Sequence, residues 1–118
     1  MPPVATEIRV RRATRSLDVT FDDGHDTSLS AEYLRVESPS AEVQGHAPDQ
    51  KILVSGKQDV NIVSVDPIGN YAVRIRFSDG HDTGIFTWPY LRELSVEYPV
   101  RWAAYLQALA AKGLRRSA

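Results

Sequence analysis

Two of the three histidines lie in the same chemical setting. Phe21-Asp22-Asp23-Gly24-His25-Asp26-Thr27 recurs as Phe77-Ser78-Asp79-Gly80-His81-Asp82-Thr83. Imidazole nitrogen beside carboxylate oxygen is a donor set suited to iron, manganese, nickel or zinc, with coordination positions left open for water. Asp-Gly is also turn chemistry, in which Asp and His side chains hydrogen-bond neighbouring backbone groups. His25 and His81 are thus either metal ligands or the caps of two tight turns. Asp23, Asp26, Asp79 and Asp82 read first as turn formers. His46 stands apart, directly after Gly45 in a polar stretch that ends at Gln50.

Other fragments of catalytic motifs fail on inspection. Ser55-Gly56-Lys57 lacks the earlier glycine and the following hydroxyl residue of a phosphate-cradling loop. The His-Asp dipeptides of metal-dependent phosphohydrolases sit on helices of an all-α fold, whereas both dipeptides here follow an Asp-Gly turn between strands. Ser, His and Asp are all present, but no nucleophile elbow places them together. No catalytic residue is assigned, and the chain reads as a non-enzyme.

The elements that hold these residues follow from the extended match around the heptapeptide. Leu17, Val19 and Phe21 align with Val73, Ile75 and Phe77, each set alternating with polar neighbours as in half-buried strands. Leu29 aligns with Ile85, and one inserted residue later Tyr33-Leu34-Arg35 aligns with Tyr90-Leu91-Arg92, behind Ser30 and Thr87 as helix N-caps. Each unit reads as strand, tight turn, strand, short helix. Facing parity demands an odd loop of three or five residues, which sets Phe21 opposite Thr27, Val19 opposite Leu29, Phe77 opposite Thr83 and Ile75 opposite Ile85. Gly24 and Gly80 supply the positive φ of the turns.

The remaining segments are read more coarsely. Thr6 to Arg12 is an opening strand paired with Ser16 to Phe21. Its Arg9, Arg11 and Arg12, with Arg15, form either a phosphate-binding stripe or a solvated face. Ser38-Pro39 fits an N-cap and first helical position, giving one turn of helix before Gly45. Val60 to Val65 is a strand, Pro67 to Asn70 a turn, and Tyr71 to Phe77 a strand. A closing helix spans about Tyr98 to Lys112, with Pro99 in its first turn, Gly113 as C′ residue, and Trp102, Leu106 and Leu109 as its buried stripe. The expected fold class is α+β, mostly antiparallel β, with two hairpin-plus-short-helix units and a C-terminal helix in one domain over residues 1–118.

Composition agrees with such a domain. The chain has 118 residues, 42% hydrophobic and 25% charged, enough for one core and unlike a disordered segment. Fourteen basic residues against fifteen acidic ones leave no overall electrostatic footprint for nucleic acid or an anionic membrane. With no cysteine, the chain can build no disulfide and no thiolate metal centre. The amino-terminal residues lack the apolar stretch of a signal peptide, and no run approaches the length of a membrane span, so the expected compartment is the cytoplasm.

Asp-Gly-His-Asp-Thr, Tyr-Leu-Arg and Ser-Pro-Ser-Ala-Glu-Val-x-Gly-His together resemble the gamma-butyrobetaine hydroxylase-like N-terminal domain family, over about Glu7 to Leu94. Members of that family occur as stand-alone bacterial proteins of unknown activity, as the amino-terminal domain of carnitine-pathway dioxygenases, and appended to P-loop iron–sulfur cluster carriers. In the fusions the chemistry lies in the other domain. The dioxygenase versions carry a zinc site of three cysteines and a later histidine. Laid on this chain, Ser38, Ser40 and Val43 stand where the thiolates would be, and His81 matches the histidine. The resemblance also implies that the loop holding His46 lies near the second hairpin tip. A metal site would then combine His46 and His81 with Asp82 or His25, and iron or zinc would be its occupant.

Two functions follow as expectations. One is a non-catalytic binding or adaptor domain with a protein partner, such as an iron or iron–sulfur enzyme. The alternative is a small histidine/carboxylate metal-binding protein that senses or delivers a metal.

Overall fold

The computed structural model describes residues 2–117. Strands β1 (Ala5–Arg11), β2 (Ser16–Phe21) and β3 (Asp26–Ser30) form one antiparallel sheet in that order, followed by helix α1 (Ala31–Val36). A connecting segment holds the one-turn helix α2 (Ala41–Gln44) and a 3-10 turn at Pro48–Gln50. Strands β4 (Ile62–Ile68), β5 (Ala72–Phe77) and β6 (Gly84–Thr87) form a second antiparallel sheet, followed by helix α3 (Trp88–Ala111). This is the expected α+β class. Alternation drives it: Leu17, Val19 and Phe21 turn inward from β2, and Ile75 and Phe77 from β5. They meet Tyr33, Leu34, Leu91 and Leu94 in one buried cluster.

Both hairpin loops have three residues. The Phe21 amide donates to the His25 carbonyl at 2.9 Å, and the Phe77 amide to the His81 carbonyl at 2.9 Å. Val19 therefore faces Thr27 and Leu17 faces Leu29, not the expected Phe21–Thr27 and Val19–Leu29 pairs. The five-residue loop those pairs require loses because Asp23 Oδ1 accepts the His25 amide at 3.2 Å and Asp79 Oδ1 the His81 amide at 3.1 Å, closing each turn early. Gly24 and Gly80 have φ of 86° and 92°, as the turn requires.

The expected Ile75–Ile85 pair is also corrected. Ile75 faces Gly84 and Val73 faces Phe86, so the second hairpin takes its inserted residue between His81 and Gly84. Ile85 is consequently 43% exposed while Phe86 is 0% exposed and takes the place expected of Ile85. Gly84 allows this because a Cβ there would collide with Ser38 Oγ.

The second unit has no separate short helix. Thr87 Oγ1 accepts the Tyr90 amide at 3.3 Å and opens a 24-residue α3 that runs through Pro99. Proline forfeits one backbone bond, but Leu91 and Leu94 before it lie in that buried cluster and Tyr105 and Leu109 after it are buried with Val36 in a second one, so both halves are held. Leu106 points outward at 39% exposure and Tyr105 takes its place in the buried stripe. The helix ends as expected at Gly113, with the Leu114 amide donating to the Leu109 carbonyl at 2.9 Å. Ser40, not Ser38, caps α2, accepting the Glu42 amide at 3.1 Å. β4 begins at Ile62 rather than Val60 and extends through Pro67, tolerated because β4 is an edge strand, which leaves Gly69-Asn70 as the turn.

Candidate functional site

The two heptapeptides and the two Tyr-Leu-Arg segments interlock reciprocally. Tyr33 Oη donates to the Leu94 carbonyl at 2.7 Å, and Tyr90 Oη to the Glu37 carbonyl at 2.5 Å. Arg35 Nε donates to Asp79 at 2.8 Å, and Arg92 makes a bidentate pair with Asp23 at 3.1 and 2.9 Å. His81 Nε2 meets Ser38 Oγ at 2.8 Å, and His25 Nε2 meets Ser95 Oγ at 3.1 Å. The tyrosine bonds tie the two helices to each other, and the arginine and serine contacts tie each helix, or the residues just after it, to the hairpin tip of the other sheet. Ser38 and Ser95 each stand five residues after their tyrosine, so the pairing had a sequence signal.

The second tip carries more. His81 Nδ1 lies 3.1 Å from Glu42 Oε2, and Ser40 Oγ lies 2.6 Å from Thr83 Oγ1. A carboxylate only accepts, so the Nδ1 proton points to Glu42 and Nε2 accepts from Ser38. Burial, reinforced by the Arg35 charge, holds the His81 imidazole below its ordinary pKa and therefore neutral at pH 7. Asp79 is shared by Arg35 and by Lys57 at 2.7 Å. Burial would raise its pKa, but the bonds from Lys57, the His81 amide and Arg35 outweigh it and bring the carboxyl down to about 2.

Ser38, His81 and Glu42 thus stand in the atom order of a nucleophile, base and orienting carboxylate. Ser38 is nevertheless 0% exposed and Gly84 packs directly on its Oγ, so no substrate atom can reach it as folded. The same cluster tests the zinc site that the resemblance implies. Ser38 and Ser40 do converge beside His81, but one imidazole, two neutral hydroxyls and the buried hydrocarbon of Val43 do not fit zinc.

The candidate metal ligands are spread out. His25 is held by α3 at the first tip and His81 by Ser38 and Glu42 at the second. His46 and Asp82 are exposed, and the His46 amide is taken by Gln50 Oε1 at 2.9 Å. Among the described residues, no three His, Asp or Glu side chains are grouped to hold a metal ion. Arg9, Arg11 and Arg15 of the basic stripe each have a carboxylate partner, in Glu7, Asp18 and Asp59. No helix among the described residues is long and apolar enough to cross a membrane.

Besides the inserted residue of the second hairpin, the two tips differ in what covers them. At the second, the chain turns away after Ser38 and lays α2 over His81 and Thr83. At the first, the chain continues after Ser95 as α3. Beside α3 the face of β2 and β3 is left as an open groove of about 690 Å³ that runs from Thr27 and Ser95, past Ser28, Ser30, Tyr98 and the Arg11–Asp18 ion pair, to Ser16 and Thr14, and includes no residue of the Asp22–His25 turn.

Known proteins agree with this architecture. Two proteins with NMR solution structures are 42% and 44% identical to the chain, each with a TM-score of 0.84, covering 99% and 97% of it and 92% and 85% of their own lengths. A protein of unknown function from Acidithiobacillus ferrooxidans, assigned to the DUF971 family, is 46% identical in its crystal structure, with a TM-score of 0.65 over 77% of this chain and 91% of that one. No curated protein matches. The sequence model described as gamma-butyrobetaine hydroxylase-like, N-terminal, matches residues 8–92, and the chain belongs to that family.

Proposed function

We propose that this chain is a non-catalytic binding module, an adaptor that docks a protein partner in the groove between the first sheet and α3. The observation that carries this reading is the contrast between the two units: α2 covers the second hairpin after Ser38, whereas the chain runs on as α3 after Ser95 and the groove beside Thr27 and Ser95 stays open. The closure of Ser38 against solvent supports the same reading, because the serine aligned with His81 and Glu42 is used to join elements. A family described as the amino-terminal part of a hydroxylase-like protein supports service to a second, catalytic protein. Iron and iron–sulfur enzymes are the partners to test first.

The test is titration of isotope-labelled protein with the catalytic domain of an iron-dependent hydroxylase and, separately, with an iron–sulfur cluster carrier. Signals of Thr27, Ser28, Ser30 and Ser95 should shift or broaden. Changes confined to other faces would overturn the groove as the docking site. No change with either protein at about 1 mM, a binding free energy weaker than about −4 kcal/mol, would remove both as partners.

A further inference from the structure

We infer that the free edge of β3 takes up an extended segment of the partner as an added antiparallel strand, one whose side chains alternate between small hydroxyl and aliphatic. This rests on the binding-module reading and names how the groove holds its partner. Thr27, Ser28, Leu29 and Ser30 all line the groove. Consecutive strand residues point to opposite faces, so a groove that touches four in a row passes along the strand's edge as well as over the face of the sheet. Ser95 and Tyr98 of α3 form its other wall.

The register shows which backbone groups that edge offers. The Phe21 amide bonds the His25 carbonyl, so in the ladder that follows, Val19 with Thr27 and Leu17 with Leu29 are the hydrogen-bonded pairs. The N–H and C=O groups of Asp26 and Ser28 therefore point away from β2, and among the described residues they have no backbone partner. The sheet order makes β1, β4 and β6 edges as well, but each is closed or blunted. Arg12 donates to the Val63 carbonyl at 2.6 Å and Asn61 to the Arg12 carbonyl at 3.0 Å, which ties the end of β1 to β4. Both strands carry a register shift, and β4 holds Pro67, which has no N–H. β6 is four residues long, and its Gly84 lies against Ser38. β3 has a regular ladder and only short side chains at Thr27, Ser28 and Ser30, which leave its edge open.

The two walls set the side chains of the added strand. In an antiparallel pair, residues bonded to Asp26 and Ser28 lie directly opposite them and share their face of the sheet. Arg11 and Asp18 neutralise each other on that face, so uncharged hydroxyl residues suit it. The intervening residues turn towards Tyr98, which is 40% exposed and is held edge-on against Tyr33 and stacked on Trp102, so aliphatic residues suit that side.

The probe is the acetylated and amidated heptapeptide Lys-Thr-Val-Ser-Val-Thr-Lys, added to the isotope-labelled full chain. A dissociation constant of about 1 mM is expected of so short a segment. The amides of Asp26 and Ser28 should move downfield and exchange with solvent about fivefold more slowly or better, while those of Thr27 and Leu29, already bonded to β2, change little. N-methylation of the peptide's serine, whose N–H points to β3, should weaken binding about fivefold or more, and N-methylation of a valine, whose N–H points away, less than about twofold. Equal loss from both peptides, shifts confined to other faces, or no shift at about 5 mM would each overturn strand addition. So would slow exchange of Asp26 and Ser28 in the free chain that disappears on dilution, because a second copy would then hold the edge. If the heptapeptide fails while a protein partner still perturbs the groove, the binding-module reading stands without this mode of binding.

Discussion

Arg35 of α1 donates to Asp79 at the tip of the second hairpin across 2.8 Å, and the equivalent arginine of the other unit, Arg92, reaches Asp23 at the first. Each turn aspartate therefore closes its own loop and anchors the opposite helix. The two anchors differ in burial: Asp79 is 18% exposed at the side chain and Asp23 43%. Asp79→Asn should cost about 2 to 3 kcal/mol, because it leaves Arg35 and Lys57 without their shared anion. Asp23→Asn should cost about 1 kcal/mol or less, as for an exposed pair. Urea denaturation of both variants compares them, and equal losses would refute the assigned asymmetry.

Stability should fall in mild acid because of His81. Its folded-state pKa lies below the ordinary value of about 6.5, so the unfolded chain binds the extra proton first. The contribution is complete above that value and is lost as pH falls from it towards the folded-state pKa. Denaturation midpoints of the parent and His81→Gln between pH 5 and 8 test this. The parent should lose more stability than the variant over that range, and parallel curves would contradict the assignment.

Phe86 and Ile85 report the register of the second hairpin. Phe86→Ala should cost about 3 to 5 kcal/mol, as for a fully buried aromatic residue, and Ile85→Ala less than about 1 kcal/mol. The reverse order in thermal or chemical unfolding would mean that Ile75 faces Ile85 after all.

Gly24→Ala and Gly80→Ala isolate backbone strain, because a Cβ at either position meets nothing within 4 Å. Each should cost about 1 kcal/mol, through positive φ alone. A stabilising effect at both would remove the left-handed turn residues.

Both nitrogens of His81 are engaged, so a metal could bind there only by breaking the bonds to Ser38 and Glu42. Calorimetric titration with zinc(II), iron(II) and nickel(II) should find affinity no tighter than millimolar. Micromolar binding that His46→Ala and His81→Ala both abolish would instead establish the histidine metal site.

Much of the fold was legible because it depends on short-range pattern. The period-two alternation of Leu17, Val19 and Phe21 and of Val73, Ile75 and Phe77 marked β2 and β5, and Ser30 and Thr87 marked the helix starts. The place of the inserted residue was not legible. Ile85 is as suitable for a core as Phe86, and the choice fell to the approach of Ser38, 46 positions earlier, to Gly84. Pro99 misled for a similar reason: Thr87-Trp88-Pro89 and Tyr98-Pro99 both read as helix starts, and only anchoring on both sides of Pro99 joins them into one helix.

By itself the sequence determined the α+β class, the two hairpins with their Asp-Gly turns, the tip positions of His25 and His81, and the family, since each is carried by neighbours within a few residues. Tertiary structure alone decided what those residues do. It paired Ser38 with His81 and Ser95 with His25, crossed Arg35 to Asp79 and Arg92 to Asp23, and laid α2 over the second tip. These contacts join residues 39 to 70 positions apart, where no local propensity acts and packing of the two sheets against each other sets the distances.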